Sequence, residues 1–275
     1  MIYDICTFNG ESELFSIRYE ILKDYVDEFR VIEFDKTFSG KEKHAVFNQN
    51  WPKVKSYYVT EPTWSKYEDL AKSSPNTEYG KGASHWIREF MQKESIKDCL
   101  TDLKDDDQVY IGDCDEIWNP RVLKEHLLGW INPVWKLKLE VYSYYLNNKS
   151  NEEFWGTIYT KYRCIKDKCL NHLRSIDLMT FSVEDDLKKE HHCKTNISHG
   201  WHFTSIGGYE NVKKKLTDSY TEESYASQYV LDNLYDNING IHDFLGRDFN
   251  YSKDDSDWPD YLRNNKAKYN HLLRP

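Results

Sequence analysis

Short apolar runs alternate with helical patterns along the first 119 residues. Apolar runs bounded by turn residues are typical of buried strands, whereas apolar residues three or four positions apart are typical of helices. The predicted strands cover residues 2–8, 29–34, 53–60 and 108–117, and the predicted helices cover 11–25 and 84–100. This rhythm favours an α/β fold with a mainly parallel sheet that is flanked by helices on both faces.

The pattern changes after residue 119. Residues 135–146 and 155–162 alternate apolar and polar side chains, which predicts longer antiparallel strands added to the parallel sheet. A further strand is predicted over 201–206, followed by helices over 209–216 and 222–236. No linker separates these segments, so we expect a single domain with two halves, 1–119 and 120–275.

Composition narrows the class of protein. The chain has 275 residues, of which 15% are aromatic, and its formal net charge is -9. A net-acidic chain lacks the basic footprint of a nucleic-acid binder, so we expect no nucleic-acid partner. No stretch approaches the ~20 apolar residues of a membrane span. The start of the chain does not resemble a signal peptide, and the six cysteines form no CxxC pair, so we expect a cytoplasmic protein with free thiols.

The strongest local signal is the acidic run Asp113, Cys114, Asp115 and Glu116, which directly follows an apolar strand. Side chains alternate between the faces of a strand, so Asp113 and Asp115 are predicted to point the same way. The carboxyl ends of strands are where open α/β sheets bind ligands. Carboxylate oxygens there suit Mn²⁺ or Mg²⁺. The alternative is a solvated acidic turn that caps the next helix.

Two weaker signals accompany the acidic run. Asn9, Gly10 and Glu11 follow the first predicted strand, where they could border a ligand or only cap a helix. His202 lies between Trp201 and Phe203 on an apolar strand, where it could be a ligand or a core residue. The chain contains neither a GxGxxG motif nor a P-loop, so a dinucleotide site and an NTPase are not supported.

Several motifs occur together in an order that resembles glycosyltransferase family 17, the family of the bisecting β-1,4-N-acetylglucosaminyltransferase. The motifs are Phe-Asn-Gly-Glu-Ser-Glu-Leu-Phe-Ser-Ile-Arg over residues 8–18, Trp-Ile-Arg-Glu-Phe over 86–90, Asp-Cys-Asp-Glu-Ile over 113–117 and Gly-Trp-His-Phe over 200–203. The resemblance covers most of the chain. It implies a GT-A-type fold, a UDP-linked sugar donor, a divalent metal ion (Mn²⁺ or Mg²⁺) and an inverting transfer to a glycan or another hydroxyl acceptor.

The resemblance also implies roles for individual residues. Asp115 would bind the metal ion, Asp113 would face the metal or the nucleotide ribose, and His202 would complete the metal site. Asn9 and Glu11 would border the nucleotide. Lys36 and Arg88 are candidates for contacts with the pyrophosphate. The candidates for the catalytic base are Glu140, Asp177 and Glu184, and of these we choose Glu140.

Two other classes of protein share parts of this pattern. A metal-dependent phosphohydrolase or nucleotidyltransferase could use the same pair of aspartates. The other alternative is a non-catalytic carbohydrate-binding or scaffold protein, which metal-independent sugar binding without donor hydrolysis would indicate. The resemblance to the family favours the glycosyltransferase over both.

Overall fold

One mixed sheet organises the protein, and the computed structural model describes residues 1–48, 50–74, 84–125, 134–175, 192–220 and 225–275. Within those ranges, the sheet has nine strands in the order β3-β2-β1-β4-β7-β6-β8-β5, with β9 beside β7. The strands are β1 (Ile2–Thr7), β2 (Glu28–Phe34), β3 (Val54–Val59), β4 (Gln108–Asp113), β5 (Glu116–Trp118), β6 (Val134–Ser143), β7 (Asn148–Lys161), β8 (His192–Thr204) and β9 (Tyr251–Lys253).

The sheet has a parallel and a largely antiparallel part, as the sequence pattern predicts. Strands β1, β2, β3 and β4 pair in parallel. Strand β7 pairs antiparallel with both β4 and β6, although β6 and β8 are parallel to each other. The predicted mainly parallel α/β sheet with an added antiparallel portion is therefore confirmed.

Helices pack on both faces of this sheet. Leu14, Phe15 and Ile17 of the first helix belong to one apolar core, whereas Phe90 and Met91 belong to another. The described α-helices are α1 (Ser12–Leu22), α2 (Glu61–Trp64), α3 (Glu68–Lys72), α4 (Ser84–Ser95), α5 (Leu170–Ser175), α6 (Gly208–Ser219), α7 (Gln228–Asn239) and α8 (Asp260–Asn264). Short 3₁₀ helices cover Ser65–Tyr67, Ile96–Leu100, Pro120–Glu125, Tyr162–Cys164 and Lys266–Leu272.

The acidic run departs from the predicted geometry. The sequence predicts one strand over residues 108–117, but β4 ends at Asp113 and a separate strand begins at Glu116. Strand β5 pairs antiparallel with β8, where Glu116 lies opposite His202. The prediction of a continuous strand is wrong because the chain turns at Cys114 and Asp115 to reach β8. We call residues 113–116 the acidic turn.

A buried arginine holds this turn in place. The guanidinium of Arg18, on α1, donates to both carboxylate oxygens of Asp4 at 2.6 and 2.7 Å. Its third nitrogen donates to the backbone carbonyls of Asp113 and Glu116 at 3.0 and 2.6 Å. Trp118 also donates to Asp4, at 2.8 Å. Arg18 thus ties α1, β1 and both ends of the acidic turn together.

The structure describes the side chains of five cysteines, all of them free, and four of these five are buried. Burial raises the pKa of Cys99 to about 11 and that of Cys169 to about 12, so both thiols are neutral near pH 7. Among the helices in the described ranges, none combines the length and apolar character that crossing a membrane requires.

We predict that Arg18→Met lowers the free energy of unfolding by about 3–5 kcal/mol, because it leaves the buried Asp4 carboxylate without its charged partner. Urea denaturation measures the loss. The control is Arg263→Met, since the Arg263 side chain is 44% exposed and its ion pair with Asp260 lies at the surface. A loss for Arg18→Met no larger than that of the control would contradict the assigned role.

Candidate functional site

The acidic turn lies between two cavities. The strand-end cavity, of about 110 Å³, lies at the carboxyl ends of β1, β2 and β4 and includes Thr7, Asn9 and Lys43 in its wall. The aromatic cavity, of about 350 Å³, has walls that include Phe154, Tyr225 and Tyr251. Both cavities are lined by Asp113, Asp115, Lys215, Phe38 and Ser219. A ligand that occupies both cavities must therefore pass the two aspartates.

Asp113 ends β4 beside the end of β1. Thr7 lies opposite it in the parallel pair, and the Thr7 hydroxyl donates to the carboxylate at 2.9 Å. Arg174 and Lys93 approach the other carboxylate oxygen at 3.1 and 3.3 Å. Burial alone would raise the pKa of Asp113, but Arg174 and Lys93 hold that pKa well below its usual range. Asp113 is therefore a carboxylate that is already neutralised by two cations.

Asp115 has one ionic partner at hydrogen-bond distance and a second one farther away. Lys215, on α6, lies 2.7 Å from one carboxylate oxygen, and Nε2 of His202 lies 3.7 Å from the other. Burial opposes ionisation, but Lys215 and His202 hold the pKa of Asp115 well below its usual range. The oxygen that faces His202 accepts no hydrogen bond from the imidazole, because 3.7 Å is too long for one.

His202, on β8, lies at the wall of the aromatic cavity. Its ring packs on Phe154 with the centroids 4.1 Å apart. Its Nδ1 atom is buried and has no hydrogen-bond partner within the described residues. A satisfied core histidine would hydrogen-bond through its nitrogens.

The donor set limits how a metal ion would bind. No group of three or more His, Cys, Asp or Glu side chains is placed to hold a metal ion, in the part of the chain that the structure describes. Asp115 and His202 face each other and form a pair of oxygen and nitrogen donors, whereas Asp113 is occupied by Lys93 and Arg174. These residues fit a divalent ion that takes its other ligands from substrate oxygens and water, as Mg²⁺ usually does.

Asn9 and Glu11 lie at the wall of the strand-end cavity, as expected. The Asn9 side-chain oxygen accepts a hydrogen bond from Lys43 at 2.6 Å, and Glu11 accepts one from the Asn9 backbone N–H at 2.6 Å. Burial raises the pKa of Glu11 and lowers that of Lys43. No side chain caps the start of α1, so helix capping does not account for these residues.

Lys36 and Arg88 lie in different places. Lys36 lines the strand-end cavity, where its ammonium group pairs with Glu61 at 2.6 Å. Arg88 donates to the backbone carbonyl of Phe38 and lines neither cavity. Arg88 therefore supports the loop that carries Phe38, and the structure does not place it among the residues that face the acidic turn.

Glu140 is not brought to the acidic turn either. It lies on β6, pairs with Lys149 at 3.1 Å, and lines a third cavity together with Trp201 and Asp257. This third cavity shares no lining residue with the aromatic or strand-end cavities. Two other candidate bases, residues 177 and 184, lie outside the described residues.

Four basic residues of the site were missed by the sequence analysis: Lys43, Lys93, Arg174 and Lys215. Three of them lie on helices or loops that no recognised motif includes. Lys93 follows Glu89 by one helical turn and pairs with it at 2.6 Å, a local signal typical of any solvated helix. The sequence contains no other sign that these cations converge on the acidic turn.

The strand-end cavity lies at the carboxyl ends of the parallel strands, which is the edge where open α/β sheets bind ligands. The chain belongs to glycosyltransferase family 17, whose sequence profile matches residues 1–274. The membership of that family, which the motifs imply, is confirmed, and glycosyl transfer is the class of reaction that the family match supports. The particular bisecting N-acetylglucosaminyltransferase activity stays a prediction.

Solved structures and curated sequences give two further comparisons. The chain is similar to a solved structure of mouse xyloside xylosyltransferase 1 in its apo form, with 9% sequence identity and a TM-score of 0.32. That similarity covers 62% of this chain and 70% of the mouse chain. No curated protein sequence matches the chain. The assignment therefore rests on the family match.

We predict that His202→Phe changes the free energy of unfolding by less than about 1.5 kcal/mol, because the ring keeps its stacking on Phe154 and loses no hydrogen bond. The matched control is His199→Phe on the same strand. His199 is 1% exposed and its Nε2 lies 2.8 Å from a Glu125 oxygen, so this variant should lose about 1–3 kcal/mol. Urea denaturation of both variants measures the difference. An equal loss of stability in the two variants would indicate that His202 is a core residue.

Proposed function

We propose that this protein is a metal-dependent inverting glycosyltransferase that moves a sugar, N-acetylglucosamine, from a UDP-linked donor to a hydroxyl group of a glycan. The observation that carries the proposal is the position of the acidic turn and its cations between two cavities. A nucleotide-sugar has its diphosphate between a nucleoside and a sugar, so it matches a charged centre with a cavity on either side.

The strand-end cavity supports the nucleoside assignment. It lies where parallel α/β sheets bind nucleotides, and the polar atoms of Asn9, Glu11 and Lys43 lie at its wall. Asp113 and Thr7 lie at the strand ends, where they can contact the ribose.

Cations and a metal ion would stabilise the diphosphate. Asp115 and His202 would hold Mn²⁺ or Mg²⁺, which supplies positive charge for the departing diphosphate. Lys93, Arg174 and Lys215 add three charges that are already positioned beside the acidic turn. Fixed charges in a partly buried site stabilise a developing anion without reorganisation, because they are already oriented.

The aromatic cavity, of about 350 Å³, would hold the donor sugar beside the acidic turn and a carbohydrate acceptor next to it. Its walls combine aromatic rings with a few charged side chains, which is the composition of a site that binds a ring-shaped polar ligand. The rings are those of Phe38, Tyr144, Phe154, Tyr220, Tyr225, Phe244 and Tyr251.

We also propose that the protein acts in the cytoplasm, as the sequence analysis expects.

Transfer is tested directly by incubating the protein with Mn²⁺, a panel of UDP-sugars and a panel of oligosaccharides, and by detecting the product by mass spectrometry. The configuration of the new linkage, measured by NMR, tests inversion. The proposal expects transfer from UDP-N-acetylglucosamine. Release of phosphate without transfer from any donor would favour a phosphohydrolase instead.

We predict that UDP stabilises the protein more than GDP or ADP does, because the proposed donor is UDP-linked and the polar atoms of Asn9 and Glu11 lie where its uracil would bind. A ligand at 100 times its Kd adds ~2.7 kcal/mol to the free energy of unfolding, which a thermal-shift assay detects easily. GDP and ADP carry the same diphosphate, so they are matched controls for binding through charge alone. Equal shifts for the three nucleotides would contradict the assignment of a uridine site.

We also predict that Mn²⁺ strengthens UDP binding to the wild type by about tenfold or more, equivalent to about 1.4 kcal/mol, and that Asp115→Asn removes this gain. Without metal, the variant should bind UDP no more weakly than the wild type, because Lys215 is then free for the diphosphate. Isothermal titration calorimetry with and without Mn²⁺ measures both effects. Asp260→Asn, whose side chain is 82% exposed, is the control. If UDP binding to Asp115→Asn is still strengthened by Mn²⁺, Asp115 is not a metal ligand.

A further inference from the structure

We propose that Glu152 is the catalytic base that accepts the proton of the acceptor hydroxyl. The assignment rests on the proposed function and replaces the choice of Glu140, which lines a separate cavity. A base for glycosyl transfer needs a carboxylate that lies in the acceptor cavity and keeps a lone pair free for the incoming hydroxyl. Glu152 meets these two conditions better than the other carboxylates of the aromatic cavity.

The position of Glu152 follows from strand β7, which passes beside the acidic turn. A Cβ at Gly156 would lie 2.8 Å from the carboxyl carbon of Glu116, so β7 touches the turn there. Two residues earlier, Phe154 packs on His202. Another two residues earlier, Glu152 still lines the aromatic cavity, ~7 Å along the strand from Phe154. Glu152 thus lines the aromatic cavity at a distance from Asp115 and His202, which leaves room for an acceptor between them.

The other carboxylates of the aromatic cavity have close partners. Glu116 is 2% exposed and accepts a hydrogen bond from the Thr157 hydroxyl at 3.2 Å. The remaining four form close ion pairs with Lys or Arg. These pairs are Asp113 with Arg174 at 3.1 Å, Asp115 with Lys215 at 2.7 Å, Glu89 with Lys93 at 2.6 Å and Asp243 with Arg247 at 2.7 Å.

Glu152 has only a distant ionic partner within the described residues. Arg247 lies 3.6 Å away, and its guanidinium is already bonded to Asp243 through two nitrogens, at 2.7 and 3.1 Å. The Glu152 side chain is 23% exposed, so it is open to the cavity. At 3.6 Å the Arg247 nitrogen is too far away for a hydrogen bond, so the oxygens of Glu152 stay available to an incoming hydroxyl group.

The transfer step then balances as follows. The acceptor oxygen forms a bond to C1 of the donor sugar while the bond from C1 to the phosphate oxygen breaks. The electron pair of that bond leaves with UDP, and the acceptor proton moves to a carboxylate oxygen of Glu152. The neutral Glu152 then returns the proton to water, since its carboxyl group is open to the cavity.

The test compares Glu152→Gln with Glu153→Gln. Both variants replace a carboxylate by an amide of the same shape. Glu153 is the next residue, but its side chain is 66% exposed, pairs with Lys138 at 2.9 Å and does not line the aromatic cavity. We expect the kcat of Glu152→Gln to fall ~10²–10⁴-fold, with the KM values for donor and acceptor and the Kd for UDP within about threefold of wild type. Glu153→Gln should retain its kcat within about twofold.

A second variant separates chemistry from structure. In Glu152→Ala, added formate can enter the vacated space and accept the proton, so formate should restore part of the lost kcat. It should not affect Glu153→Ala or the wild type. A purely structural role for Glu152 would show no rescue and a lowered melting temperature.

The outcomes also separate this assignment from the proposed function. Transfer by the wild type together with an undiminished kcat in Glu152→Gln overturns the base and leaves the transferase intact. A fall in kcat that formate does not rescue in Glu152→Ala also overturns the base. If the wild type transfers no sugar from any UDP-linked donor, the proposed function fails, and the role of Glu152 fails with it.

Discussion

The site depends on the buried pair of Asp4 and Arg18. Both side chains are inaccessible to solvent, so each charge must be satisfied inside the protein. Asp4 takes two of the guanidinium nitrogens, and the third nitrogen binds the carbonyls at either end of the acidic turn. The chain consequently turns between β4 and β5 at a fixed distance from β1. Asp113 and Asp115 line the two cavities because Arg18 fixes the backbone of this turn through hydrogen bonds to its carbonyls.

The charges above the turn are balanced before any ligand arrives. Three carboxylates, Asp113, Asp115 and Glu89, face three cations, Lys93, Arg174 and Lys215, which come from different parts of the chain. Uncompensated buried charges are costly, so this balance stabilises the empty site. A diphosphate brings negative charge that these same cations can accept. A divalent ion at Asp115 and His202 would replace the charge that Lys215 provides, so the site can exchange partners without a large rearrangement.

The fold was largely predictable because its signals are local. The apolar runs of β1, β2 and β3 and the helical spacing of α1 depend on residues that are neighbours in the chain, and their bounds were predicted within a few residues. The continuous strand over 108–117 was predicted wrongly. The alternation of apolar and polar residues does not indicate which backbone carbonyls Arg18 binds. The motifs also placed the chain in its family, whose match spans residues 1–274.

The sequence by itself determined the parallel sheet, the acidic run at the end of β4 and the candidate roles of Asn9, Glu11 and His202. Only the tertiary structure decided which side chains surround that run. Lys215 lies 100 positions from Asp115, and Glu152 is a member of the aromatic cavity only because β7 packs beside the acidic turn. Glu140 and Glu152 are both glutamates on strands and look equivalent in the sequence. Their separation into different cavities follows from the order and register of the strands, which pair residues far apart in the chain and leave no local periodic signal.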